Sequence, residues 1–280
     1  MGCSSVARNV RQGESMKRLI AVLAVSIAAG AVNAANVALF ADTTYVNYSV
    51  GDSSAEASNM QAALQSAGNS VTPFVGTAVG AWTTALAGKQ VLVIPEQEVG
   101  PSIGGALPAA TITAINTFVT GGGTLIVAED YASPHFVNAV FGFSVSDTGG
   151  GVGTLNVANA AGTRFAGGPA SLPAYSATNS NVTASLPAGA KCIYDAGANC
   201  TVWQVAHGAG LIVYLGWDFF DQAPVGSQNG GWNPVLFAAA LSGPTTKAVI
   251  PTLGEYEMIA LALMLAAAGA LFLRRRSYLG

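Results

Sequence analysis

Two short apolar runs, Val91-Leu92-Val93-Ile94 and Leu125-Ile126-Val127-Ala128, constrain this chain more than any other feature. Neither alternates with polar residues, so a strand made from either must be covered on both faces. Helices packed on either side of a sheet provide that cover, and the neighbouring sequence supplies them. Residues 108–120 carry apolar side chains at helical spacing, start beside Pro108 and stop at Gly121-Gly122-Gly123. Upstream, 37–41 reads as a buried strand, 55–67 as a helix closed by Gly68, 70–75 as a strand and 82–86 as a helical turn. Residues 90–96 and 124–128 are the third and fourth strands, and 135–141 is a further short helix. Strands alternating with helices predict an α/β domain with a parallel sheet and helices on both faces.

Beyond Phe143 the pattern loosens. Residues 143–186 are rich in Gly, Ser, Thr and Asn, which reads as a β-rich excursion made largely of surface loop. Order returns in a meander of three strands, 191–194, 201–205 and 211–215, and residues 231–241 form the last helix. Cys192 and Cys200 flank the turn cluster Asp195-Ala196-Gly197-Ala198-Asn199. They should face each other across a hairpin and pair as a disulfide in an oxidising compartment. Asn181-Val182-Thr183 has the form of a glycosylation sequon and is read as chance.

The two ends are of another kind. Met16-Lys17-Arg18, the apolar stretch 19–29 and Val32-Asn33-Ala34 have the layout of a Sec-type signal peptide, residues 16–34, cleaved by signal peptidase. Residues 1–15 are then an upstream extension, and Met16 is a candidate initiator. At the other end an apolar run, 258–273, stops at Arg274-Arg275-Arg276. Sixteen residues at 1.5 Å each reach about 24 Å, and Tyr256, Glu257 and snorkelling arginines bring the helix 257–273 close to membrane thickness. The arginine block puts the C-terminus in the cytoplasm and the middle of the chain outside the inner membrane.

Ile250-Pro251-Thr252-Leu253, then Glu255 and Tyr256, then the apolar helix and Arg274, Arg275 and Arg276 resemble the IPTL-CTERM sorting tail of Gram-negative bacteria. Gly254 stands where that family has serine, and Tyr256 where it has tryptophan. The resemblance covers residues 250–276 and implies an exosortase-type membrane protease as partner. It also implies a membrane-anchored precursor with a periplasmic domain, and delivery to the cell surface or beyond.

Residues 35–249 make one domain of 215 residues, large enough for a substantial core. Its eleven carboxylates face only four cations, Lys89, Arg164, Lys191 and Lys247, for a net charge of −7. That balance excludes nucleic acid or anionic lipid held through a basic patch. The strand and helix order, with the closing Gly210-Leu211-Ile212-Val213-Tyr214-Leu215-Gly216-Trp217-Asp218 stretch, resembles the class I glutamine amidotransferase-like, flavodoxin-like fold and its trehalose-utilisation branch. Catalytic members of that family carry a cysteine on a strand-to-helix elbow. Here the strands end at Glu96 and at Glu129-Asp130, so no catalytic residue and no cofactor is expected.

A parallel sheet binds ligands at the carboxyl ends of its strands. Asp42, Glu96, Glu129, Asp130 and Asp218 fall there, with Trp217 beside the last. Such a rim suits acid/base chemistry, a hard cation such as Ca²⁺, or a sugar against an aromatic wall; the same residues also cap helices and loops. His135 and His207 stand alone in the sequence, with no Gly-x-Ser-x-Gly elbow to partner them. Two functions follow: an exported surface protein with a catalytically silent domain, or an extracytoplasmic carbohydrate-binding or carbohydrate-acting protein.

Overall fold

A computed structural model describes residues 34–129, 135–221 and 228–241. The signal peptide, the sorting tail, Lys247 and Asp130 therefore lie outside the described residues, apart from Ala34 at the end of the signal. Among the described residues no helix is long and apolar enough to cross a membrane.

Five strands form the parallel half of one sheet: β1 (Asn36–Phe40), β2 (Ser70–Phe74), β3 (Val91–Ile94), β4 (Thr124–Ala128) and β11 (Gly210–Leu215), in the order β2-β1-β3-β4-β11. Every residue of β3, β4 and β11 is buried, which is why these stretches carry no polar alternation. The chain steps from β1 outward to β2, then back past β1 to β3 and β4. Right-handed crossovers then put α1 (Glu56–Ser66) on one face and α2 (Val79–Leu86) with α4 (Ala109–Thr120) on the other. The contacts agree, since α1 packs with α7 (Asn229–Ala239), and α2 packs with α4. The order reverses between β1 and β3, and it is at the carboxyl ends of strands flanking such a reversal that this class of fold receives ligands.

The sheet is mixed rather than wholly parallel. β9 (Lys191–Ala196), β10 (Asn199–His207) and β11 are antiparallel neighbours joined by two-residue turns, Gly197-Ala198 and Gly208-Ala209. Two residues cannot make a crossover, and Gly197 and Gly208 take the positive φ that tight hairpins require. β11 therefore joins the two halves of the sheet, antiparallel to β10 and parallel to β4. The 143–186 stretch is more ordered than a surface loop. Its strands β5 (Asp147–Gly149), β6 (Gly153–Leu155), β7 (Ser171–Leu172) and β8 (Asn179–Val182) extend the antiparallel half. Strands of two to four residues are too short to print a period in the sequence.

Cys192 and Cys200 form a disulfide between β9 and β10, with 5.6 Å between their Cα atoms. All four tryptophans are buried and each indole N–H has an acceptor: Trp82 on Gly76 O, Trp203 on Asn181 Oδ1, Trp217 on Asn229 Oδ1 and Trp232 on Pro173 O. A buried indole costs little only when its N–H is paired in this way.

Candidate functional site

Four carboxyl groups meet at the carboxyl end of the parallel strands. Glu96 follows β3 by two residues, Glu129 follows β4 directly, and Asp218 comes three residues after β11. The fourth is Glu56, the first residue of α1, on the connection out of β1. All four are at least nine-tenths buried. One carboxylate oxygen from each of Glu56, Glu96 and Asp218 can be chosen so that all three lie within 4.8 Å of one another. Glu129 reaches the group through a hydrogen bond between its carboxyl and that of Glu96.

The backbone holds these groups in place from several sides. Phe219 O accepts from Asn59 Nδ2 of α1 at 2.9 Å and from Asn229 Nδ2 of α7 at 2.9 Å. Asp221 N donates to Ser53 O, so the loop carrying Asp218 is stitched to the entry of the helix that carries Glu56. Asp218 Oδ1 accepts from Phe220 N at 2.8 Å. After Glu96, Gln97 Oε1 accepts from Ile103 N at 2.7 Å and fixes the exit from β3. Among the described residues, Glu129 and Phe219 are the non-glycine residues at positive φ, 35° and 70°. Both adjoin the cluster. Directly after β4, the strained residue Glu129 thus presents a carboxyl.

Burial dominates the electrostatics. Loss of solvent lifts Glu56 to about 8, against its own backbone N–H, which favours the charge, and with Glu98, Glu96 and Asp218 adding repulsion. Desolvation likewise lifts Asp218 to about 7, against the Phe220 N–H, with exposed Glu98 adding to the rise. Glu96 and Glu129 titrate as a pair, both pushed up by burial. Glu96 is relieved by accepting the hydrogen bond, and Glu129, which donates it, keeps its proton to the higher pH. Near neutral pH the cluster therefore holds several protons. It can store protons, act as a general acid, or exchange those protons for a cation.

The remaining rim residues behave differently. Asp42 does not join the cluster. Its carboxylate caps a loop, accepting from Thr44 N at 3.0 Å and Gly76 N at 2.9 Å, and despite partial burial these N–H groups hold it below the usual range. Asp130 lies outside the described residues. Trp217 is only 1 % exposed and packs between Tyr175 and Trp232, so it gives no open aromatic wall. His135 is not isolated: its Nε2 sits 3.1 Å from Asp147 Oδ2. His207 contacts Asn116 and the Phe141 ring at the opposite end of the sheet. Glu56 is the member that reading the sequence missed. A glutamate in the first turn of a helix is commonplace, and the signal that was present is its place on the first crossover from β1, beside the switch in strand order.

No known family profile matches this sequence, and no curated protein does. Solved structures do. A ThuA-like protein from Parabacteroides merdae superposes with a TM-score of 0.52 at 13% identity, over 77% of this chain and 93% of that one. A second ThuA-like protein, from Bacteroides uniformis, gives 0.47 at 14% identity over 73% and 89%. An exo-beta-1,4-mannosidase from Opitutaceae bacterium strain TAV5 gives 0.49 at 16% identity over 75% of this chain, which spans 37% of that enzyme. The first likeness supports a ThuA-like, amidotransferase-like α/β fold. At such identities it speaks for the fold alone.

Proposed function

We propose that this chain is an exported surface protein whose α/β domain performs no covalent catalysis and is handed to the cell surface by an exosortase-type sorting tail. One observation carries the reading of the domain: the strand-end site is built wholly from carboxyl groups, while both domain cysteines are tied into a disulfide remote from any elbow. That leaves no thiolate where amidotransferase chemistry would need one. The disulfide also favours an oxidising, extracytoplasmic setting. Export itself rests on the sequence: the signal layout at 16–34 and the Ile250-Pro251-Thr252-Leu253 motif ahead of the arginine block. A proline within that motif disfavours a helix through it, which suits recognition by a protease.

The carbohydrate alternative loses its platform, because the Trp217 indole is packed in the core. Intact-mass analysis of the cell-surface fraction tests delivery. The expected mature form lacks Arg274-Arg275-Arg276, and mature protein that keeps them throughout contradicts the sorting claim. Incubating the full-length chain with a panel of aryl glycosides tests silence. No turnover is expected, and turnover abolished by Glu96→Gln would make the domain a glycosidase.

A further inference from the structure

The cluster poses a question of charge that the reading above leaves open. Glu56 Oε2, Glu96 Oε2 and Glu129 Oε2 are buried atoms with no hydrogen-bond partner among the described residues. Buried carboxylate oxygens are normally paired or coordinate a metal. Nor does a lysine or arginine among the described residues pair with the cluster, and His135 is engaged by Asp147. Lys89 Nζ donates to Thr72 Oγ1, and Arg164 Nη1 donates to Ala239 O and Leu241 O, both at the amino end of the sheet. Lys191 is exposed at the start of β9. Residues 130–134 and 222–227 contain no lysine or arginine.

We propose that Glu56, Glu96 and Asp218 form a site for one hard divalent cation of Ca²⁺ size, with Glu129 holding Glu96 in position. All-oxygen ligation by carboxylates selects hard cations over zinc or copper. The three oxygens lie within 4.8 Å of one another, close enough for one ion to touch all of them. A cage of protein carboxylates suits Ca²⁺ better than Mg²⁺, which dehydrates reluctantly and keeps several waters. They come from three separate elements, the head of α1 and the exits of β3 and β11, so a bound ion would cross-link the layers at the switch point of the sheet. This goes beyond the sorting reading and stands or falls apart from it, because the measurements concern the domain alone and need no processing of the tail.

The test uses the full-length chain in detergent, stripped with a chelator and titrated with CaCl₂ by calorimetry, with melting followed in parallel. One saturable site per chain and a Tm that climbs with Ca²⁺ are expected. Glu56→Gln and Glu96→Gln should each weaken binding by about tenfold or more, and Asp52→Asn, on an exposed turn, should leave it unchanged. A chain that melts cooperatively yet neither takes up Ca²⁺ nor gains Tm overturns the proposal. Binding that persists at full strength in both glutamine variants overturns it too. Mg²⁺ binding in preference to Ca²⁺ overturns the assignment of the ion. Should the variants fail to fold, the wild-type titration decides alone.

Discussion

Glu129 shows how much the fold spends on its carboxyl cluster. It sits at φ 35°, where a side chain costs on the order of 1–3 kcal/mol, and it retains a proton because burial and Glu96 oppose its charge. In the unfolded chain such carboxyls titrate near about 4. Folded Glu56 titrates at about 8 and Asp218 at about 7. A raised folded value means that the native state binds more protons. The contribution is full below the unfolded value and is lost as pH rises through 7 and 8. Chelated protein should therefore lose Tm between about pH 5 and about pH 9, and Glu56→Gln should flatten the decline. A Tm that is level or rising over that range counts against the cluster. Gly216 makes a second test at this scale. A Cβ there would meet Asn179 O and, at 2.8 Å, Thr201 O; Thr201 O accepts from Gly216 N, and Asn179 N donates to Gly216 O, so both neighbours are held close. Gly216→Ala should cost about 1–3 kcal/mol by denaturant melts and should displace Asp218 along with Trp217. At this scale the sequence was a partial guide. Glu96, Glu129 and Asp218 were legible because a carboxyl at a strand end can be read from the run before it. Asp42 ends a strand equally well, yet its carboxylate turned to two backbone N–H groups, a choice made by loop geometry that no spacing records.

The elements divide by how far apart their partners lie in the chain. β3 and β4 were readable because burial on both faces leaves an unbroken apolar run. The β9–β10–β11 hairpins were readable from their turns. That β11 also closes against β4 was not, since it depends on a pairing between residues 124–128 and 211–215 that leaves no local mark. The β9–β10 hairpin is cross-linked at Cys192–Cys200, and its closed loop is short. Replacing both cysteines by serine should lower stability by about 2–3 kcal/mol in urea melts while the α/β half keeps its circular dichroism. No loss at all would mean that the hairpin needs no clamp. Arg164 does comparable work on α7, donating to Ala239 O at 2.6 Å and Leu241 O at 3.2 Å at the helix end. Its guanidinium is buried, which lowers its pKa to about 10 without discharging it at neutral pH. Arg164→Met should cost about 2–3 kcal/mol, because the carbonyl of buried Ala239 loses a charged donor. An unchanged melt would assign that carbonyl to other partners.

At the scale of the whole molecule, a domain with eleven carboxylates and four cations has gathered four of its acids into one buried place. Such a concentration of like charge is tolerable only with protons or a cation among the groups. The strand order places them at the one reversal of the sheet, where this class of fold receives ligands. Export and sorting, read from the two ends of the chain, would bring that site to a compartment where Ca²⁺ is plentiful and thiols are oxidised. The direct test is carbon-13 NMR of the side-chain carboxyls of Asp and Glu in chelated protein, followed through a pH titration and assigned with Glu56→Gln, Glu96→Gln, Glu129→Gln and Asp218→Asn. The account predicts four carboxyls that titrate above the ordinary range, with Glu129 the last to ionise, and Ca²⁺ driving protons from Glu56 and Glu96 at neutral pH. Four carboxyls that all ionise at ordinary values, near about pH 4, would contradict it.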